Sequence, residues 1–152
     1  MKNIIPLQLP PAPLKLKRQG TKVLVWDEIR KKDLVLTPEE WVRQHWVHHL
    51  HQNLDYPLSA FALEGGFKLL GQTRRTDLLI YRQGKPRLII ECKAPQVKIS
   101  QNTFDQALRY NLHYQVPYLL ISNGLEHYWA EVDYKKEGLV FLAEGIPYSE
   151  LG

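Results

Sequence analysis

The chain has 152 residues, which is enough for one domain with a proper hydrophobic core but not comfortably for two. Its composition, with 44% hydrophobic and 24% charged residues, is ordinary for a globular protein. No run approaches the roughly 20 apolar residues of a membrane span, and we expect no membrane association. One cysteine excludes an internal disulfide, and the N-terminal residues do not have the features of a signal peptide, so we expect a cytoplasmic protein. The net charge of +4 is compatible with a polyanionic partner.

The N-terminal third of the chain divides into an arm and a helix. Residues 1–20 are rich in proline and lysine and lack periodicity, so we predict an extended arm before a single domain over residues 21–152. An apolar run at 23–26 predicts a strand. A helix then begins at Thr37, a good N-cap residue, with Glu40 three residues later. The predicted core stripe of this helix is Trp41, Val42, His45, Trp46, His49 and Leu50.

Strand-like runs and one more helix make up the rest of the chain. The predicted strands are residues 59–64, 67–70, 76–82, 87–93, 118–122, 127–132 and 139–142, and the second helix is about residues 103–114. Asn123-Gly124 predicts a turn between two of these strands. The order helix, strands, helix, strands predicts an α/β fold with a central mixed sheet flanked by helices.

The segment RTDLLIYRQGKPRLIIECKAP brings three charged side chains together. Its two apolar runs predict an antiparallel hairpin, and a three-residue loop at 83–85 pairs Leu79 with Ile89 and Asp77 with Glu91. Side chains alternate along a strand, so Lys93 shares the face of Glu91, and Asp77 lies beside them. The opposite face collects Leu78, Ile80, Leu88, Ile90 and Cys92.

This arrangement has the components of a phosphodiesterase. Two carboxylates directly opposite each other repel by an amount on the order of 0.2–1 kcal/mol. A cation such as Mg²⁺ or Mn²⁺ relieves that repulsion and keeps water and substrate phosphate as further ligands. It can polarise a phosphoryl group, while Lys93 orients the attacking water or stabilises charge on the phosphate. The alternative is a surface hairpin in which Lys93 simply pairs with Glu91.

The motifs RTDLLIY and IIECKAP resemble the core of PD-(D/E)xK nucleases, and especially the N-terminal nuclease domain of type I restriction enzyme R subunits and its stand-alone relatives. The resemblance continues through LTPEEWVRQ and TFDQALRYN and spans roughly residues 23–131. It implies a restriction-endonuclease-like core, metal binding by Asp77, Glu91 and the backbone carbonyl of Cys92, and a catalytic role for Lys93. Two departures are a threonine in place of the eponymous proline and the absence of the R subunit's motor domains from this sequence.

Gln106 and Tyr110 match the Q-x-x-x-Y signature of the same branch and share one face of the second helix. The resemblance favours contact with DNA or with the active site. The alternative is that Gln106 completes a capping box with Thr103 and that Tyr110 is a half-buried surface ring. The apolar stripe of this helix is predicted to be Phe104, Ala107, Leu108 and Leu112.

Other charged residues are accessory candidates. Related nucleases use a carboxylate on the first helix. Glu39 is the favoured candidate, because Glu40 has a role in the helix cap, and the alternative is that Glu39 only forms an ion pair with Arg43. Glu64 is a further candidate. Basic residues near the hairpin could contact DNA phosphates or form a solvated rim. They are Lys68, Arg74, Arg75 and Lys98.

The leading hypothesis is therefore a Mg²⁺- or Mn²⁺-dependent deoxyribonuclease. The alternative is a non-catalytic DNA-binding or docking module that retains the fold, and a third possibility is an interaction protein with no nucleic-acid role. DNA is the expected partner, and a restriction or repair protein is a further candidate. The sequence leaves open the DNA preference, endo- or exonuclease action and the oligomeric state.

Overall fold

The computed structural model describes residues 4–63, 67–69, 72–74 and 78–152, with the backbone alone for 67–69 and 72–74. Within these ranges there are two α-helices, α1 (Pro38–Asn53) and α2 (Gln101–Tyr114). The strands are β1 (Leu16–Gln19), β2 (Lys22–Asp27), β3 (Lys32–Val35), β4 (Phe61–Ala62), β5 (Phe67–Leu69), β6 (Gln72–Arg74), β7 (Leu78–Arg82), β8 (Lys85–Cys92), β9 (Tyr118–Ser122), β10 (His127–Asp133) and β11 (Gly138–Leu142). Short 3₁₀ turns cover Leu58–Ala60 and Tyr148–Glu150. No helix in the described ranges is long and apolar enough to cross a membrane.

The central sheet has six strands in the order β11-β10-β9-β8-β7-β4. Neighbouring strands are antiparallel except β8 and β9, which are parallel. Parallel neighbours need a crossover, and α2 provides it. The predicted α/β fold with a mixed central sheet is confirmed.

The two helices cover opposite faces of this sheet. On one face, α1 packs through Val42, Trp46 and Leu50 against a core whose sheet residues include Leu78, Ile80, Leu88, Ile90 and Cys92. The predicted apolar face of the β7–β8 hairpin is thereby confirmed. On the other face, Ala107 of α2 packs with Leu79, Ile89, Leu119 and Ile121. Both faces of β8 are therefore buried, and its strand end emerges between two packed layers.

The turn of the β7–β8 hairpin differs from the prediction. Arg82 pairs with Lys85, so the loop has two residues, Gln83 and Gly84, with φ of +55° and +75°. Positive φ at both central positions is typical of the hairpin turn whose twist matches the flanking strands. The predicted three-residue loop is wrong. A bulge then accommodates one extra residue of β8 and restores the predicted pair of Leu79 with Ile89.

The N-terminal region contains more structure than predicted. β1, within the predicted arm, pairs with β2, and β3, which was not predicted, pairs with the other side of β2. Ahead of β1 the chain is held by hydrogen bonds: Trp41 Nε1 donates to the Ile5 carbonyl at 2.8 Å, and the Gln8 amide donates to the Gly124 carbonyl at 2.8 Å.

The buried surface of α1 is wider than predicted. Gln44 and Val47 are buried as well as the predicted Val42, His45, Trp46 and Leu50, whereas Trp41 and His49 are half-buried. Gln44 and Val47 line a cavity with Trp26 of β2. The helix thus has apolar contacts on more than the single predicted stripe.

The start and end of α2 also differ from the predictions. Helix α2 begins at Gln101, and its capping box joins Ser100 with Thr103, so Gln106 is not part of that box. Leu112, placed in the apolar stripe, is 73% exposed. Asn111 is buried in its stead, because its side chain accepts a hydrogen bond from the Val116 amide at 2.6 Å and satisfies the backbone where the helix ends.

Candidate active site

Glu91 and Lys93 lie where β8 ends, beside the end of β9. Glu91 pairs with Ile121, and the Lys93 amide continues the ladder by donating to the Ser122 carbonyl at 2.8 Å. The Cys92 side chain belongs to the core beneath α1, so the alternation along the strand turns Glu91 toward the α2 side. The Lys93 Nζ lies 3.5 Å from Glu91 Oε1, which brings together two of the three predicted catalytic groups.

The two charged groups of this pair differ in exposure. The Glu91 side chain is 7% exposed and that of Lys93 is 30% exposed. A buried carboxylate is costly unless cations or hydrogen-bond donors neutralise it, and the Lys93 ammonium fulfils part of that need. Lys93 retains solvent access, so its ammonium can reach an approaching anion. The arrangement can hold a cation at Glu91 and contact a phosphate through Lys93.

Several predicted residues lie outside the described ranges. They are Glu64, Arg75 and Asp77, while the side chains of Lys68 and Arg74 are also not described. The described β7–β8 ladder ends at the pair Leu78–Ile90, the pair that precedes the predicted partnership of Asp77 with Glu91. That partnership stays a prediction.

The donor set fits a hard divalent cation as far as it is described. Among the described residues, which omit Asp77, no group of three histidine, cysteine, aspartate or glutamate side chains could hold a metal ion. Mg²⁺ is commonly held by one or two carboxylates, with water and substrate phosphate as its other ligands. The Glu91 carboxylate is one oxygen donor of this kind, and the second predicted carboxylate, that of Asp77, lies outside the described ranges.

A buried asparagine fixes the loop that follows Lys93. Asn123 is 5% exposed, and its side-chain nitrogen donates to the Val97 carbonyl at 3.0 Å. Its side-chain oxygen accepts from the amides of Leu125 and Glu126 at 2.9 and 2.8 Å. The turn between β9 and β10 is thereby tied to the segment after β8. The Asn-Gly signal predicted the turn, but nothing in the sequence indicated this second attachment.

Gln106 and Tyr110 lie on one flank of α2 and are half-buried. The opposite flank faces β10 and β11, since Phe104 contacts the rings of Tyr128 and Phe141, each at 5.4 Å between centroids. At about 100° per residue, Gln106 points roughly 160° away from Phe104. Both candidates are therefore directed away from β11. Lys98 is exposed in the loop between Lys93 and α2.

The two acids at the start of α1 have different environments. Glu40 is 8% exposed. It forms ion pairs with Arg43 and with Arg30, the latter at 4.0 Å. Its Oε2 also accepts a hydrogen bond from Gln44 Nε2 at 3.2 Å. Glu39 is exposed. Arg43 forms an ion pair with Glu40, which gives Glu40 a structural role, and Glu39 stays the predicted accessory acid.

The start of α1 lies at the same end of the sheet as Lys93. A Cβ placed on Gly124 would be 3.1 Å from Val42, one turn into this helix. Gly124 is two residues beyond Ser122, whose carbonyl binds the Lys93 amide. Glu39 therefore lies at the end of the helix nearer to the strand ends of β8 and β9.

The histidines of α1 lie in aromatic surroundings. His45 Nδ1 donates to the Trp41 carbonyl at 2.7 Å, and His49 Nδ1 accepts from Asn53 Nδ2 at 2.8 Å. Burial lowers the pKa of both imidazoles, and the nearby His127 lowers that of His49 further. The lowered pKa favours the neutral imidazole in both, and their rings contact Trp41 and Trp46 of the same helix.

Comparisons with known proteins identify similar sequences. A family model described as the N terminus of the type I restriction enzyme R protein matches residues 38–147, from the first residue of α1 to just beyond β11. A solved fragment described as an HsdR subunit of a type I restriction enzyme from Vibrio vulnificus YJ016 is 23% identical, with a TM-score of 0.40. The similarity covers 60% of this chain and 18% of that one. No curated protein matches this chain.

Proposed function

The chain belongs to the family of the N-terminal region of type I restriction enzyme R proteins, and from this premise we propose that it is a metal-dependent nuclease domain of the PD-(D/E)xK class that hydrolyses phosphodiester bonds in DNA. The observation that carries the proposal is the pair of Glu91 and Lys93, with 3.5 Å between Oε1 and Nζ, at the end of β8. The family membership supports a role in restriction, with DNA and other restriction subunits as partners.

The catalytic residues are Asp77, Glu91 and Lys93. The carboxylates of Asp77 and Glu91 and the backbone carbonyl of Cys92 hold Mg²⁺ or Mn²⁺. When bound, such an ion polarises the phosphoryl group and lowers the pKa of a water ligand. Asp77 contributes from the strand that neighbours Glu91, as the hairpin register predicts.

Lys93 contacts the substrate. Its partly exposed ammonium donates hydrogen bonds to a phosphate oxygen and stabilises the negative charge that grows there as the P–O bond to the leaving group breaks. The Glu91 carboxylate at 3.5 Å keeps the lysine side chain at the strand end, so the ammonium is positioned before DNA arrives. This positioning is the reason that the pair, rather than either residue alone, supports a catalytic function.

Other residues bind and orient the DNA. Gln106 and Tyr110, on the flank of α2 that faces away from β11, contact DNA or the scissile phosphate. Lys98 and the two arginines Arg74 and Arg75 contact backbone phosphates without reading the base sequence. Glu39 is the accessory acid at the start of α1.

The test is a cleavage assay on supercoiled, linear and single-stranded DNA with Mg²⁺, with Mn²⁺ and with EDTA. We expect metal-dependent cleavage that Lys93→Ala and Asp77→Ala each reduce by at least about 100-fold, as for the loss of an electrostatic catalytic group. Lys32→Ala, which removes an exposed lysine from β3, is the matched control and should cleave normally. Cleavage that survives in the Asp77→Ala/Lys93→Ala double variant would end the proposal.

The same assay separates the non-catalytic alternative. A DNA-binding or docking module would bind DNA in a salt-dependent manner, without turnover, and with the same affinity after Lys93→Ala. That result, with folded protein and both metals tested, would replace the nuclease proposal.

A further inference from the structure

Strand β11 forms one edge of the six-stranded sheet. An edge strand presents backbone N–H and C=O groups that can pair with another chain, and proteins usually protect such edges with charges or proline. The sequence of β11, Gly-Leu-Val-Phe-Leu, has neither. In contrast, the edge strand β1, Leu-Lys-Arg-Gln, carries two exposed cations.

The most exposed large apolar side chains of the described residues cluster around this edge. Those that are more than half exposed are Leu112 (73%), Phe141 (56%), Tyr134 (52%) and Val140 (51%). Two of them lie on β11, and the other two line a cavity of about 400 Å³ that includes Gly138, the first residue of β11. Exposed apolar residues concentrated in one place indicate an interaction surface, whereas scattered ones need no explanation.

The exposed side chains of β11 cover both faces of the strand. Phe141 pairs with Ala130 of β10 and lies on the α2 face, where its ring contacts Phe104 at 5.4 Å and Tyr128 at 6.1 Å between centroids. Val140 lies on the opposite face, next to the exposed Glu131. Phe141 is thus fixed in position by neighbouring rings while more than half of its surface stays in solvent. A strand added at this edge would cover apolar side chains on both faces.

We propose that β11 pairs antiparallel with β11 of a second copy of this chain, around a two-fold axis at Val140, so that the two central sheets form one continuous sheet. This inference does not depend on the proposed nuclease activity. In the proposed register, Val140 lies opposite Val140, and Leu139 lies opposite Phe141 of the second copy. A two-fold axis is the usual symmetry of a homodimer; it makes the contact between Leu139 and Phe141 occur twice, while the pair of Val140 residues lies on the axis.

The charges at the two ends of β11 select the antiparallel orientation. Lys135 and Lys136 precede the strand, and Glu144 follows it. Antiparallel pairing centred on Val140 places Lys136 opposite Glu144 of the second copy, twice in the dimer. Parallel pairing would place the lysines of both copies side by side, and like charges opposite each other destabilise a sheet. The strand and its flanks are therefore complementary to themselves in one orientation.

The first experiment measures the oligomeric state by sedimentation and light scattering over a range of protein concentrations. We expect the full chain to be a dimer and Val140→Lys and Phe141→Lys to be monomers with unchanged circular dichroism. Val35→Lys is the matched control and should stay dimeric. Val35 is 47% exposed and lies on β3, an edge strand of the three-stranded sheet. A monomeric wild-type chain at all concentrations, or a dimer that persists in the Val140→Lys/Phe141→Lys double variant, overturns the proposal.

The second experiment tests the register. Residues directly opposite in a sheet have Cα atoms within disulfide range, so oxidised Val140→Cys should form a covalent dimer, and Val35→Cys should not. The native Cys92 is 3% exposed and is shielded from cross-linking. Glu144→Lys should weaken dimerisation by about 2- to 10-fold, as for a pair of exposed ion pairs, and adding Lys136→Glu should restore it. Failure of both the cross-link and the restoration overturns the proposed pairing.

Discussion

The Lys93 Nζ lies 3.5 Å from Glu91 Oε1, at a strand end where the carboxylate is buried and the ammonium is partly in solvent. The backbone of the pair is held in place, because β8 packs in the core up to Cys92 on its α1 side and up to Ile89 on its α2 side, and the Lys93 amide is bound to β9. A cation that binds Glu91 therefore meets a preformed ligand, and a phosphate that reaches Lys93 meets an ammonium in fixed position.

Metal binding at Glu91 should be visible as thermal stabilisation. A ligand that binds only the folded state stabilises it by about 2.7 kcal/mol at 100 times its Kd. Saturating Mg²⁺ or Mn²⁺ should therefore raise the Tm of the wild-type chain by several degrees, as measured by calorimetry. Glu91→Gln should abolish this shift, whereas Glu131→Gln, at an exposed position on β10, should retain it. Equal shifts in the two variants would contradict metal binding at Glu91.

Phosphate contact by Lys98 should change the salt dependence of DNA binding. Each phosphate contact contributes about 0.9 to the slope of log affinity against log salt concentration on duplex DNA. Lys98→Ala should lower that slope by about one contact, uniformly across DNA sequences, in fluorescence anisotropy titrations. Lys32→Ala serves as the control, and an unchanged slope for Lys98→Ala would assign Lys98 to the solvated rim.

The two acids at the start of α1 should differ in their contribution to stability. Glu40→Gln removes the carboxylate of the Glu40–Arg43 pair, whose side chains are 11% and 13% exposed, and breaking a buried ion pair costs about 3–5 kcal/mol. Glu39→Gln, at an exposed position, should change the free energy of unfolding by less than about 0.5 kcal/mol. Urea unfolding measures both. As the proposed accessory acid, Glu39 should also matter for activity, so Glu39→Gln should lower metal-dependent cleavage. Comparable destabilisation by the two variants would refute the structural role of Glu40.

Acid should destabilise the fold through the histidines of α1. Burial lowers the folded-state pKa of His45 and His49 below the ordinary value of 6.5, so below that pH the unfolded chain binds more protons than the folded one. This stability is fully present above pH 6.5 and is lost as the pH falls below it. We expect Tm to fall as the pH is lowered below 6.5.

Replacing one of these histidines identifies the source of that decline. His49→Gln should show a shallower fall of Tm, because its imidazole no longer takes up a proton on unfolding. His113→Gln, at an exposed position on α2, should follow the wild-type curve. Identical pH profiles for the three proteins would exclude His49 as a contributor.

Much of the fold could be predicted because local patterns specify it. The alternating apolar residues of β7 and β8 and the helix signals at Thr37 are readable from short segments, since their periods reflect backbone geometry alone. The same alternation predicted that Glu91 and Lys93 share a face, and the contact between them is observed. The predicted partnership with Asp77 lies outside the described residues.

Other features depended on residues far apart in the chain. β1 has no apolar alternation and is a strand because it pairs with β2, and the edge position of β11 follows from the complete strand order. Asn111 is buried because its side chain accepts from the Val116 amide where α2 ends, while the neighbouring Leu112 is exposed. By itself the sequence determined the periodic elements and the charged residues at the end of β8, since side-chain alternation is a local property. The tertiary structure decided which edges, helix ends and acids are buried, because burial depends on neighbours that only the folded chain brings together.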